Sequence, residues 1–324
     1  SPADTLPSMI TLLLPPRERC GGQRLSANTG RALARGDRDE RAGDVLSGVL
    51  DVLPRGWPVA AASRQRDAGD AANAVWLRAD PAYVRPDING ARLLSYGEAL
   101  ALTEADAAAL LKPLKPLFGD AGFPIDAPVP SRWYLRLPMG AKLPDFTAPE
   151  QALGADLFDE LPQGSEGRRW RALLSEAQVV LHNHPLNAQR AASGLAPVNS
   201  LWFWGAGMLP DRVQSNVARI ASDDETLTAL ALLGGVHVDA KPASWNGRVQ
   251  AGNSLFDLRD ARDLSLLERD WFAPMLKSIA DGALERLRFD FDDGSRYDIT
   301  RSQRWRFWRR PLASFIGTHR NADA

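Results

Sequence analysis

Cysteine is nearly absent: Cys20 is the only one in 324 residues. No disulfide framework can form within the chain, and a multi-thiolate zinc or iron–sulfur site is excluded. No apolar run approaches the ~18 residues of a membrane span. Charge of one sign is lacking too, since 39 Lys and Arg face 40 Asp and Glu. No global field therefore draws the chain to nucleic acid or anionic lipid. The sequence contains no G-x-S-x-G, no Walker lysine motif and no H-E-x-x-H, which removes the common nucleophile, P-loop and zincin patterns. It also has no internal repeat and no low-complexity tract. The opening Ser1–Ser8 carries no basic n-region and reads as linker residue before a natural start at Met9. The expectation is a soluble, cytoplasmic protein.

Tryptophan is abundant, ten against four tyrosines, which suits a heavily packed interior or stacking surfaces. Met9–Leu14, ended by Pro15 and Pro16, reads as a buried first strand. Val59–Ala62 and Ala74–Leu77 read as two more strands. The latter runs into Arg78 and Asp80, which puts both at the carboxyl end of a strand, where open α/β sheets bind ligands. Thr103 with Asp106 is a capping box opening a helix that Pro113 and Pro116 should break. Helical spacing of apolar residues begins at Trp170 and stops at Pro185. A strand at 200–204 follows. Ser222 with Glu225 opens a helix that returns through Val236–Val238 as a βαβ-like unit. Leu287, Phe289 and Phe291 alternate with polar residues before Asp293-Gly294, a hairpin signal. These elements predict an α/β fold with a mixed, mainly parallel sheet flanked by helices. One large domain is expected over 9–315, with a subdivision placed near 138–167 and a tail at 316–324.

The densest polar cluster is His182-Asn-His184-Pro-Leu-Asn187-Ala-Gln-Arg190, with Asn199 beyond it. His182 and His184 fall on different faces while the helix persists, which speaks against a two-histidine metal site. His184 reads either as a satisfied inner histidine or as part of a binding site in which Asn187, Arg190 and Asn199 donate to an anion. In Ser200–Gly207, Trp202 and Trp204 share one strand face, and Gly205 and Gly207 let the backbone approach a ligand or another element closely. Met208-Leu-Pro210 follows where a dinucleotide fingerprint needs a helix. Arg301–Arg310 interleaves arginines with aromatics. Arg304, Trp305, Arg306, Trp308, Arg309 and Arg310 could stack on nucleic-acid bases. The reading preferred here is a strand with Trp305 and Phe307 inward and Arg304 and Arg306 outward.

The segment from His184 through Asn199, Trp202, Trp204, Gly205 and Gly207 to Pro210 resembles the Asn-x-x-Trp-x-Trp-Gly-x-Gly stretch of archaeal-type cofactor-independent phosphoglycerate mutases, of the alkaline phosphatase superfamily. Over most of its length the chain is similar to bacterial RpfE-type regulatory proteins, often labelled phosphoglycerate-mutase-like. Such mutases hold two metals, beginning with an Asp-Gly pair after the first strand. Here Leu12-Leu-Leu-Pro-Pro16 brings no acid to that place, and of a late Asp/His set only His319 remains after Asp239. The resemblance therefore implies a reduced scaffold, without metal or cofactor, that acts as a regulatory or ligand-binding protein. Its ligand is expected to be a small anion or a partner protein, with Arg78, Asp80, Arg85, His184, Asn187, Arg190, Asn199, Trp202, Trp204, Gly205 and Gly207 around it. The alternative is a divergent phosphomutase or phosphatase with His182, His184, Asp223, Asp224, His237 and Asp239 as replacement ligands.

Overall fold

The computed structural model describes residues 7–88 and 90–317. The expected linker lies outside the described residues except for its end, where Ser8 opens the first strand. Of the expected tail, 318–324, including His319, also lies outside them.

In chain order the elements begin with β1 (Ser8–Leu14), α1 (Ala27–Arg35), β2 (Asp37–Glu40), β3 (Leu50–Leu53), α2 (Val59–Ala68), β4 (Val75–Asp87) and β5 (Gly90–Tyr96). Next come α3 (Glu104–Asp120), β6 (Ile125–Val129), β7 (Arg132–Leu137), α4 (Pro149–Ala152), α5 (Leu157–Glu160), α6 (Gly164–His182), α7 (Leu186–Ala192) and β8 (Ser200–Met208). The last third holds β9 (Arg212–Ser215), β10 (Arg219–Ala221), α8 (Glu225–Leu233), β11 (His237–Asp239), β12 (Gly252–Asp257) and α9 (Leu264–Leu267). A π-helical turn then leads into α10 (Ala273–Asp281), β13 (Arg286–Phe291) and β14 (Ser295–Thr300).

The chain divides into two compact units, one of residues 1–52 with 212–324 and one of 53–211. The single expected domain gives way to these two, because the first strand pairs with strands from the last third while the middle builds a sheet of its own. Segment 138–167 lies inside the second unit.

The first unit is built on a sheet ordered β11-β10-β12-β1-β13-β14-β2. β1 pairs in parallel with both β12 and β13, and β10 with β11 and β12, while β14 and β2 are antiparallel. The sheet is thus mixed and mainly parallel, as the β10–α8–β11 crossover and the β13–β14 hairpin predict. β1 sits centrally because every residue from Ile10 to Leu14 is buried, as a strand covered on both faces requires. Its core joins Leu12, Leu14, Phe289 and Phe291 to Phe272 and Met275.

The second unit is an antiparallel sheet ordered β5-β4-β7-β6, with β8 also on β4. Strand alternation divides its faces. Val75, Leu77 and Ala79 pack with Leu110, Phe118, Trp170 and Leu174 of α3 and α6, whereas Trp76 and Tyr134 pack with Ala60 and Ala61 of α2. Residues 59–62 therefore open a helix rather than form a strand. The Thr103–Asp106 capping box forms, but α3 continues through Pro113 and Pro116. Burial of Leu110, Leu111, Leu114 and Phe118 against the sheet outweighs the two missing donors. The chain enters and leaves this unit at adjacent points, with the Asp211 amide donating to the Leu53 carbonyl at 2.8 Å.

Candidate functional site

Arg78 and Asp80 lie inside β4 rather than at a strand end, and the neighbours of that strand are antiparallel. The ligand-binding edge of a parallel sheet is therefore not where they sit. Both side chains are 1% exposed. The Arg78 guanidinium meets Asp80 with two bonds, Nε to Oδ1 at 3.0 Å and Nη2 to Oδ2 at 2.9 Å. Its Nη1 donates to Ser63 Oγ at 3.2 Å, and Asp80 also accepts from Trp204 Nε1 at 2.8 Å and the Trp133 amide at 3.2 Å. The guanidinium stands 5.2 Å from the Trp204 ring centre and 5.4 Å from that of Tyr134. Tyr134 donates its proton to Asp67, which Arg132 grips with two bonds, and its oxygen accepts from the Ser63 hydroxyl. Burial pushes the Tyr134 hydroxyl far above its ordinary pKa. Burial would raise Asp67 as well, yet the bonds from Arg132 and Tyr134 hold it below the usual carboxylate range. The cluster is a self-satisfied polar layer between α2 and the sheet, of the kind that fixes a unique packing. Ser63, Asp67, Arg132 and Tyr134 escaped the sequence reading. Their signal was the i, i+4 spacing of the first two on α2 and the i, i+2 spacing of the others on β7.

Asn187, Asn199, Arg190, His184 and Trp202, also predicted to bind, bond to the backbone instead. Asn187 bridges the carbonyls of Leu181 and Val198 and accepts from the Val198 amide. Asn199 forms a two-way bond with the amide and carbonyl of Val84. Arg190 donates to Ala196 and Leu100 carbonyls, each at 2.7 Å. His184 accepts from the Leu186 amide at Nδ1, so Nε2 carries the proton and donates to the Ala109 carbonyl at 2.9 Å. That is the inner-histidine reading. Trp202 donates to the Thr147 carbonyl, and Arg85 is exposed on β4, outside the Arg78–Asp80 layer. The Asn/Trp/Gly segment is therefore a set of internal braces.

Gly205 and Gly207 allow the close approach of a helix. A Cβ on Gly207 would lie 2.6 Å from Pro58 Cβ, and one on Gly205 3.1 Å from Val59 Cβ. Gly207→Ala is expected to destabilise the second unit by about 1–3 kcal/mol through overpacking. A urea titration followed by tryptophan fluorescence measures it.

Arg301–Arg310 departs from the preferred strand. Arg301–Trp305 is a 3-10 turn opened by a Thr300–Gln303 capping box. Trp305, Phe307 and Trp308 are 65%, 76% and 68% exposed, so the aromatics face outward. Arg306 pairs with Asp37, and Arg309 donates to the carbonyls of Ala34 and Gly36. Two of the six residues named for nucleic acid are thus engaged in packing this segment.

The carboxyl ends of the parallel strands in the first unit carry a second cluster. Asp257 ends β12, Ser222 and Asp224 follow β10, and Asp292 and Asp293 follow β13. Arg259 donates through Nε to Asp257 Oδ1 and through Nη2 to Asp257 Oδ2, both at 2.8 Å, and Nη2 also reaches Asp224 Oδ2 at 3.1 Å. Ser222 Oγ donates to Asp257 at 2.7 Å and accepts from the Asp224 amide at 3.0 Å. Asp224, and not Ser222, caps α8, because the Ser222 hydroxyl is engaged with Asp257. Burial would raise the Asp257 pKa, but the Arg259 guanidinium and the Ser222 hydroxyl hold it below the ordinary value. Arg17 clasps Asp293 through its amide and Nε, closing the turn after Pro15 and Pro16. Asp257 and Arg259 were not singled out from sequence, since 252–257 shows too short and polar a pattern to announce a strand.

Of the expected replacement ligands in this unit, Asp223 accepts from the Lys241 amide, and His237 and Asp239 face each other in the open at 3.1 Å. His182 is exposed at the end of α6. Among the described residues no group of three or more His, Cys, Asp or Glu stands close enough to hold a metal ion. No helix of the described residues is long and apolar enough to cross a membrane.

No protein-family model matches the chain. Among curated proteins it is 33% identical over 92 residues to a probable 2,3-bisphosphoglycerate-independent phosphoglycerate mutase of Geobacter sulfurreducens, covering 28% of this chain and 23% of that one. The likeness is to phosphoglycerate mutases. It recurs with the enzyme of Methanosarcina acetivorans, at 28% identity over 128 residues, 36% of this chain and 32% of that one. The chain therefore spans less than a third of the length of these relatives. Among solved structures, a cofactor-independent phosphoglycerate mutase from Thermoplasma acidophilum aligns over 91% of this chain and 89% of its own, with a TM-score of 0.41 and 17% identity.

Proposed function

We propose that the chain is a regulatory or ligand-binding protein of the RpfE type, built on a phosphoglycerate-mutase-like scaffold of the alkaline phosphatase superfamily and performing no phosphoryl transfer. The observation that carries this reading is the guanidinium of Arg259 bound by Asp257 and Asp224 at the carboxyl edge of the parallel sheet. Two divalent cations at such an edge need open carboxylate and imidazole oxygens and nitrogens. Here both carboxylates already hold a cation of the protein's own, and β1 ends in Leu14-Pro15-Pro16 without an acid. The residues present do not fit a two-metal centre, and no catalytic step is derived through one.

The competing reading, a divergent phosphomutase, draws on the likeness to enzymes and on Ser222, a hydroxyl 2.7 Å from a carboxylate at that same edge. One assay separates the two. Full-length protein supplied with excess manganese or zinc is expected to leave 3-phosphoglycerate and p-nitrophenyl phosphate unchanged above the protein-free rate. Turnover that EDTA abolishes would favour the enzyme and overturn the proposal.

A further inference from the structure

A cavity of about 460 Å³ in the first unit lies between α1, α10 and the turn after β14. Its helical walls are regular. Asn28, Arg31, Ala32 and Arg35 come from one face of α1, and Ala273, Leu276, Lys277 and Ala280 from one face of α10. Both sets follow the i, i+3, i+4, i+7 spacing of a single helix stripe.

The charge of this cavity is one-sided. Arg31, Arg35, Lys277, Arg301 and Arg304 line it, and no carboxylate does. Elsewhere in the same unit Arg17, Arg41, Arg259, Arg288, Arg296 and Arg306 each pair with an aspartate. None of the five cavity cations has such a pair among the described residues. Five like charges held together without counter-charge raise the local potential and are stabilised by an anion. Arg35, half-buried in this wall, likewise has no carboxylate beside it among the described residues.

The remaining wall is apolar. Leu276, with Ala273 and Ala280 beside it, supplies aliphatic surface next to the cations, above the buried Ile279 and Ile299. Inorganic phosphate alone would leave that surface wet. The volume matches the few hundred Å³ of a small-molecule site, and arginine planes with aliphatic neighbours suit a flat ring.

We propose that this cavity binds a nucleotide carrying two or more phosphates, the phosphates meeting Arg31, Arg35, Lys277, Arg301 and Arg304 and the base lying on Leu276 and the alanines beside it, Ala273 and Ala280. The assignment goes beyond the sheet edge and stands whether or not that edge is catalytically silent. It also gives the arginines at the start of the Arg301–Arg310 segment a role that needs no nucleic-acid strand.

Isothermal titration of the full chain with ADP, GDP and pyrophosphate tests it. In 50 mM salt at least one of the nucleotides is expected to bind at one site per chain, more tightly than pyrophosphate, and at least fivefold more weakly in 300 mM salt, as ionic contacts require. Arg31→Glu with Lys277→Glu, both at exposed positions, is expected to weaken binding at least tenfold with an unchanged melting temperature. Arg248→Glu, an exposed charge outside the cavity, is expected to leave it intact. Absence of binding by both nucleotides at millimolar concentration would overturn the proposal. So would equal binding by the double variant, or pyrophosphate binding as tightly as either nucleotide.

Discussion

Asp80→Ala is expected to destabilise the inserted unit, residues 53–211, by about 3–5 kcal/mol, the usual cost of removing one partner from a buried ion pair. The reason is what stays behind. Arg78, 1% exposed, would keep a full charge beside Ser63, and Trp204 Nε1 and the Trp133 amide would each lose an acceptor. The apolar double replacement Arg78→Met with Asp80→Leu should recover part of the loss, because it removes the stranded charge while Trp204 Nε1 and the Trp133 amide still lack Asp80. Urea midpoints of the three proteins, read by tryptophan fluorescence, make the comparison. A loss below about 1 kcal/mol for Asp80→Ala would mean that water reaches the pair, as it does at surface salt bridges.

The second large effect is a reversal of pH dependence in the first unit. In the native chain the Asp257 carboxyl is held below its ordinary pKa despite burial, by Arg259 and Ser222. A depressed folded-state value contributes stability above the unfolded pKa of about 3.9 and loses it as pH falls through the folded value. Arg259→Leu removes the guanidinium and leaves Asp257 buried, so that desolvation dominates and its pKa rises. The variant then loses stability as pH rises from about 4 through that raised value. It is expected to fall about 3 kcal/mol below the native protein at pH 7 and to close much of that gap near pH 4.5. Thermal unfolding at the two pH values measures both slopes. Parallel slopes would show that Arg259 does not control the Asp257 charge.

Legibility of the fold followed burial pattern. β1, the β10–α8–β11 crossover and the β13–β14 hairpin were readable because their apolar residues are continuous or strictly alternating. Residues 59–62 were misread because a short alanine-rich apolar run has no period of its own, and only the packing of Ala60 and Ala61 beneath Trp76 makes it helical. α3 runs on past the expected break because each proline acts locally, whereas buried Leu110, Leu111, Leu114 and Phe118 anchor more than two turns.

The candidate site was harder to read. Asn187, Arg190 and Asn199 look like ligand donors in sequence because polar side chains near glycines and tryptophans suit recognition. Their acceptors are backbone carbonyls up to 115 positions away, as for Asn199 and Val84, and nothing local reveals these. Arg78 and Asp80 were expected at a strand's carboxyl end as ligand-binding residues, and the strand running through them to Asp87 could not be anticipated from Pro81 and Pro86. The basic cavity has a helical stripe that is visible in α1 alone. Its meaning depends on α10 and the turn after β14 facing that stripe.

The hydrogen bond between Asp211 and Leu53 has a consequence for how the molecule can be assembled. A segment whose first and last residues touch presents its host with what amounts to a closed loop. The host's two halves are tethered as if by a short link once the guest has folded, and the loop-closure entropy falls on the guest's own folding. The order of events is thereby biased: the guest can close before the final strands have been synthesised, and those strands then find β1 already held near the place where they must join it.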